Sequence, residues 1–371
     1  MLRDHFPIFE TKTYLNSCSK GALSIEVRAA YAQYLQDWET LGSPWELWVG
    51  KLEQTRDSFA KLVNAHPDEI AVVTSVSAAV SALASALDFH GERKRVVVSD
   101  FEFPTVAHVW HAQTPRGAQV VHVPEDSGEI GLKHYADRID ERTALVSLAH
   151  VCYRNGAMQD AQAVTELAHE RGALALLDAY QSLGTMPIDV KALGVDILVG
   201  GSLKYLLGSA GLAFMYVREG LDLEPTATGW FAQDDIMALD IYAHAPSPSA
   251  RRFESGTPPN PNLYAGLAGL ELIHSVGTEA IAAHLRELTD ALKKGAREQG
   301  FCVATPEQHG ALVALKSSDV ETLVAKLAEK GIVVSSRDGN LRVSPHLYNT
   351  LEDVARLTEG LAEHSDLLVS V

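Results

Sequence analysis

Cysteine is scarce in this chain: Cys18, Cys152 and Cys302 are the only three in 371 residues, and none stands in a C-x-x-C pair. So few and so scattered, they exclude a disulfide framework and fit a reducing compartment. Basic charge is also in deficit. Lys and Arg number 31 against 48 Asp and Glu, a formal net charge of −17 at pH 7 with no long basic run. Nucleic acid and anionic membrane surfaces are therefore poor partners. No apolar run approaches membrane-span length, and the opening MLRDHFPIFETKTYL has no apolar stretch of signal-peptide length. A cytoplasmic protein is expected. A G-x-G-x-x-G turn after a strand is missing too, which argues against a dinucleotide site, and no internal repeat or low-complexity tract is visible.

What is present begins with length. A chain of this size exceeds what one core usually serves, so one large and one smaller domain are expected. Short apolar runs alternate with helix-length segments, the pattern of a parallel α/β sheet. The centre of the pattern is Asp178–Gly211, DAYQSLGTMPIDVKALGVDILVGGSLKYLLGSAG. One buried-strand pattern there ends at Asp178 and Gln181, and a second ends at Ser202 and Lys204. Ligands of such sheets sit at the carboxyl ends of the strands, so a carboxylate, an amide and a lysine meet at one edge. Pyridoxal phosphate needs that set: a lysine for its Schiff base, a carboxylate to keep its ring nitrogen protonated and a donor to its phenolate oxygen. Lys204, Asp178 and Gln181 would supply them. An isolated lysine is usually a solvated one, but Lys204 is wedged between Leu203 and Tyr205, and a desolvated lysine is an activated one.

Elsewhere the pattern predicts a strand at Ile70–Thr74 and a helix at Ala78–Leu87 capped by Ser75 or Ser77, a turn that offers free N–H groups to a phosphate as well as an ordinary cap. Val96–Ser99 reads as a strand leading to a loop with Glu102, Phe103 and Pro104; Phe103 could stack on a cofactor ring or simply fill the core. His108 and His111 share a helical face without a third ligand nearby and read as structural. Trp38, Trp45 and Trp48 suggest core or a subunit contact. Gly211–Val217 follows Lys204 with no helix between and is expected to close the sheet as an antiparallel strand. GWF at Gly229–Phe231 and the Pro/Ser-rich stretch after it mark a boundary, with a large domain at 15–245 and a small one from 1–14 and 246–371. In the latter, a helix capped by Thr278, a strand at Ala311–Leu315, a capping box of Ser318 and Glu321, strands at Ile332–Ser336 and Asn340–Ser344, and a helix boxed by Thr350 and Asp353 make a compact α+β unit.

From Tyr14 to Leu361 the chain resembles fold type I pyridoxal-phosphate enzymes of the class V aminotransferase group, which includes cysteine desulfurases, selenocysteine lyases, isopenicillin N epimerases and kynureninases. The pieces that carry the resemblance are HVCYRNG, DAYQS, GGSLKYLLG, RFESGTPPNP and RVSPHLYNT. It implies a mostly parallel seven-stranded sheet flanked by helices, plus a smaller α+β C-terminal domain. It also implies roles: Asp178 at the ring nitrogen, Gln181 at the phenolate, Lys204 in the covalent link, Ser202 beside it, and Ser75, Val76 and Ser77 around the phosphate. Arg342 would take the substrate carboxylate, a task suited to a bidentate guanidinium. Gly256 and Thr257 would reach the phosphate in the neighbouring subunit of a homodimer with shared active sites.

Departures from the desulfurase pattern bear on the reaction. Phe103 stands where desulfurases have a ring-stacking histidine, and Leu203 where a histidine usually precedes the lysine. The loop SSRDGNL from Ser335 is short and has no sulfur-accepting cysteine. EFPT, HVCYRNG and SLKYL look more like kynureninases, although the chain is shorter than a typical one. The expectation is an enzyme acting on a small α-amino acid or a derivative, cleaving a bond at the β-carbon as a C–S lyase or a kynureninase-like hydrolase without a persulfide cysteine. An aminotransferase or epimerase is the alternative. A non-catalytic homologue is disfavoured, because Lys204, Asp178, Gln181 and Arg342 are all present.

Overall fold

A computed structural model gives the structure of residues 2–371. After β1 (Thr13–Tyr14), helices α1 (Ile25–Leu41) and α2 (Trp45–Leu62) lead to β2 (Ile70–Val73) and α3 (Val76–Ala86). An alternation follows: β3 (Arg95–Ser99), α4 (Pro104–His111), β4 (Gln119–Val123), α5 (Leu132–Ala136), β5 (Thr143–Ala149), α6 (Ala161–Glu170), β6 (Leu174–Asp178), α7 (Val190–Leu193), β7 (Ile197–Gly201) and β8 (Ala213–Val217). The last third holds α8 (Asn260–Val276), α9 (Thr278–Glu298), β9 (Val313–Lys316) and α10 (Val320–Glu329). It ends with three short strands, β10 (Ile332–Val333), β11 (Ser335–Arg337) and β12 (Asn340–Val343), and α11 (Leu351–Glu363).

Seven strands form one sheet in the order β2-β8-β7-β6-β5-β3-β4. β8 runs antiparallel to β2 and β7, and the other neighbours are parallel. β8 is antiparallel as expected, yet it does not close the sheet: it is inserted between β2 and β7, and β2 takes the edge. The all-apolar strands are explained by cover on both faces. Phe59 of α2 stacks on Phe214 on one side, 4.1 Å between ring centroids, while α3 and α4 bring Val80, Leu83 and Trp110 to the other.

Packing passes to a second core late in the chain. Ala250, Phe253, Leu263 and Leu270 belong with the large sheet, whereas Leu288, Leu292 and Ala296 of α9 join Val313, Leu327, Leu341 and Leu357. The division set at residue 246 by composition thus precedes a stretch that packs on the large core. The three-stranded sheet of this second unit has the order β11-β12-β9. Instead of one strand over 332–336, the chain breaks at Val334: β10 pairs in parallel with β1, and β11 turns back on β12.

Caps differ from expectation at two places. Gly277 (φ +86°), not Thr278, is the N-cap of α9, and Asp319, not Ser318, caps α10, its carboxylate accepting from Thr322 N–H. Both substitute a neighbour one position away, a shift that pattern reading does not resolve. The box of Thr350 and Asp353 on α11 is present. Of the three tryptophans only Trp48 is buried; Trp38 and Trp45 are exposed. Among the described residues no helix is long and apolar enough to cross a membrane.

Candidate active site

The carboxyl ends of β6 and β7 and the start of α3 surround a cavity of about 310 Å³. Asp178 is the last residue of β6, buried, with Oδ1 accepting the Tyr180 N–H at 2.9 Å. Burial raises its carboxyl, while that N–H and the Lys204 ammonium pull it back down. Gln181 donates from Nε2 to the Cys18 carbonyl at 3.1 Å, and its Oε1 is buried without a partner. An amide nitrogen has two hydrogens, so one donor remains for a ligand oxygen.

Lys204 sits in the turn after β7. Its Nζ lies 4.3 Å from the Tyr180 ring centroid and 5.7 Å from that of Phe103. Burial lowers its ammonium below the ordinary lysine value; Asp178 and Cys18 oppose the shift, and Arg342 adds to it. The close approach of Tyr180 to β7 requires Gly201, because a Cβ there would stand 2.3 Å from the Tyr180 hydroxyl. Leu207, just beyond, holds φ +59°, a left-handed conformation that costs about 1–2 kcal/mol for a side-chain-bearing residue and fixes the turn that carries the lysine.

Where α3 meets the cavity, Ser75 caps the helix, its Oγ accepting the Ala78 N–H. Among the described residues the N–H groups of Val76 and Ser77 have no backbone or side-chain acceptor, and both residues line the cavity. The Ser77 hydroxyl shares a 2.7 Å hydrogen bond with Thr105. Unpaired N–H groups at a helix start suit a phosphate. A buried amine, a buried carboxylate, an amide with a free donor and unpaired N–H groups at a helix start, all around one cavity, fit pyridoxal phosphate in kind.

Phe103 lines the cavity, meets Tyr153 edge to face at 5.1 Å and keeps much of its surface exposed. Arg342 is buried beside the cavity; Nη1 donates to Tyr153 O at 2.8 Å, Nη2 to Ser19 and Ser335, and Nε is unpaired. Ser202 differs from expectation. Its hydroxyl donates to the Ser209 carbonyl at 2.6 Å and it does not line the cavity, so it braces the lysine turn. Gly256 and Thr257 are exposed and lie outside this chain's own cavity. Tyr180, Tyr153, Phe101 and Thr105 line the site without having been singled out. Tyr180 and Thr105 were visible inside DAYQS and EFPT, but between stronger signals.

Fold and site together define a fold type I pyridoxal-phosphate enzyme. The chain belongs to the class V aminotransferase family, whose model matches residues 14–357, and pyridoxal 5′-phosphate is its cofactor. It is 37% identical over 366 residues to an uncharacterized aminotransferase, YcbU, of Bacillus subtilis (strain 168), covering 97% of this chain and 96% of that protein. It is 31% identical to a kynureninase of Deinococcus radiodurans, covering 96% and 90%. Among solved structures, a cysteine desulfurase of Thermococcus onnurineus NA1 superposes with a TM-score of 0.88 at 22% identity, covering 98% of this chain and 97% of that one. The cystine C–S lyase C-DES, in complex with its product cysteine persulfide, gives 0.87 at 21%, covering 96% and 99%.

Proposed function

We propose that this enzyme cleaves a bond at the β-carbon of an α-amino acid, as a C–S lyase or a kynureninase-like hydrolase, without passing sulfur through a protein persulfide. The observation that carries the last clause is the β11–β12 hairpin. Arg337 pairs with Asn340, so the connection is the two-residue turn Asp338–Gly339, with φ of +51° and +73°. A segment that tight, without cysteine, has nothing to extend into the cavity, and Cys18 and Cys152 are buried. The edge-to-face pair Phe103–Tyr153 gives the cavity mouth apolar area that suits a substrate with an apolar or aromatic side chain.

Bound pyridoxal phosphate supplies an electron sink for bonds at the substrate's α- and β-carbons. The chain's own residues would do the rest. Lys204, whose side chain lines the cavity, would hold and return the proton at the α-carbon; Asp178 would keep the ring-nitrogen proton in place; Gln181 would donate to the phenolate; Val76 and Ser77 would bind phosphate. Arg342 would take the carboxylate, and Gly256 and Thr257 would complete the partner's site in a two-fold homodimer. The aminotransferase reading stands second, on the likeness to YcbU.

A product screen separates the two. Purified protein given cysteine, cystine, cysteine conjugates and β-aroyl amino acids should release pyruvate or alanine with the cleaved side chain, read by mass spectrometry. A 2-oxo acid retaining the whole carbon skeleton, with turnover dependent on an amino acceptor, would instead establish transamination. A Cys18→Ala, Cys152→Ala, Cys302→Ala variant that folds should keep its activity; loss would overturn the persulfide-free route.

A further inference from the structure

Glu102 is a buried carboxyl beside the cavity that the chemistry above does not use. It follows β3, its N–H closes a turn on the Ser99 carbonyl at 3.0 Å, and its neighbours Phe101 and Phe103 line the cavity. Its Oε1 accepts the Ser147 hydroxyl at 2.7 Å, and its Oε2 is buried with no partner. Ser147 and Ala149 share a face of β5, and Ala149 is in register with Asp178 on β6. The Ser147 backbone, to whose hydroxyl the Glu102 carboxyl is bonded, lies one strand across, about 4.8 Å, and two residues along, about 6.6 Å, from that of Asp178. Among the described residues no Lys, Arg or His pairs with Glu102. The titratable groups facing it are Asp178 from β6 and the Tyr135 phenol from α5, with Lys204 beyond Asp178. An ionised Glu102 would have one oxygen without a donor and a second carboxylate alongside, a combination that burial penalises heavily.

We propose that Glu102 is a positioning residue: held by Ser147 as a neutral acid, it leaves Asp178 the sole negative charge at the ring-nitrogen end of the cavity, and so sets how firmly that nitrogen keeps its proton. Burial first and Asp178 second push Glu102 well above the usual carboxylate range, and the Ser147 hydroxyl pulls the other way. With no cation among the described residues to pair it and no donor at Oε2, the neutral acid is the form this site holds, and raising the pH until the proton leaves would place a second charge on the Asp178 side. The cofactor, sensing that charge through the Asp178 end of the cavity, should change its absorbance over the same range. The link to the ring nitrogen rests on the role of Asp178 given above; the protonation of Glu102 does not.

Infrared spectroscopy of the holoenzyme at pH 7 tests the second statement alone. A carbonyl band of a protonated carboxylic acid is expected in the wild type and should be missing from Glu102→Gln. An absorbance titration tests the first. Glu102→Gln is isosteric and uncharged, so at pH 7 cofactor absorbance and kcat should stay within about twofold of wild type, while the alkaline transition of the wild type disappears. Ser147→Ala removes the donor that favours the anion and should move that transition to higher pH. A wild type without the band, or a band kept in Glu102→Gln, overturns the neutral acid. An alkaline transition identical in wild type and Glu102→Gln makes Glu102 a packing residue and overturns its tuning role.

Discussion

The role proposed for Lys204 depends on what surrounds one amine. Its ammonium is lowered chiefly by burial, and Asp178 only partly offsets that. A folded-state value below the unfolded one means that the unfolded chain holds this proton more tightly, so the lysine subtracts stability as pH falls below its ordinary value. The same shift leaves more free amine at neutral pH, the form that attacks a carbonyl. Borohydride should fix the cofactor to the wild-type chain and not to Lys204→Ala, and turnover in that variant should fall by about 10²–10⁴-fold, the range for a lost proton carrier. Cofactor still fixed to the chain in Lys204→Ala would move the covalent link elsewhere. His346 supports the same turn from the C-terminal unit, its Nε2–H donating to the Tyr205 carbonyl at 2.7 Å. Burial pushes this imidazole down to about 4, from 6.5. Its stabilising neutrality is complete above pH 6.5 and is lost as pH falls toward 4, up to roughly 3 kcal/mol. Urea unfolding of wild type and His346→Gln between pH 8 and 4.5 should show the shallower acid limb in the variant; equal limbs would mean that folding does not lower the His346 imidazole.

At the scale of elements, the segment RFESGTPPNP is pinned at one end and free at the other. Glu254 is buried and accepts from Arg56 Nη1 of α2 at 2.6 Å and from the Val72 N–H of β2 at 2.9 Å, while Ser255, Gly256 and Thr257 are exposed. Glu254→Ala leaves Arg56 with Glu53, whose Oε2 accepts from Nε at 3.0 Å, but it strands the buried Val72 N–H and removes the shorter ion pair, so it should destabilise the protein by about 1–3 kcal/mol, read as a shift in the denaturant midpoint at unchanged slope. No measurable loss would show that Glu53 alone compensates Arg56. The Glu254–Arg56 contact spans 198 residues, and nothing in RFESGTPPNP as a string announces that its glutamate faces an arginine on α2. The central strands β5, β6 and β7 could be read from sequence because each is a short, largely apolar and buried run, and α3 and α11 because a serine and a threonine stand where caps are needed. The insertion of β8 between β2 and β7 could not be read, since a local pattern gives a strand's direction from its connection but not its neighbours.

For the whole molecule, the cavity's interior was legible where chemistry is unusual, at Lys204, Asp178 and Gln181, and illegible where a residue acts by packing, at Tyr180 beneath the lysine or Ser202 in its turn. The larger gap is outside the cavity. Leu35, Trp38, Leu41 and Trp45 on α1 and α2 are exposed, as are Met237, Leu239, Ile241 and Tyr242 on the loop after Trp230. Apolar groups gathered this way are the usual mark of a protein interface, and Gly256 and Thr257 have no role in their own chain's cavity. A two-fold pairing would cover the first and employ the second. The consequence is measurable with two poor enzymes. Lys204→Ala subunits keep an intact Thr257 loop; Thr257→Glu subunits keep the lysine but set a carboxylate against a phosphate. Mixed in equal amounts and allowed to exchange, half the dimers become hybrids, and each hybrid has one site built from the two intact parts, so about a quarter of wild-type activity should return. Exchange without recovery, or an active monomer in sedimentation, would show that each site is complete within its own chain.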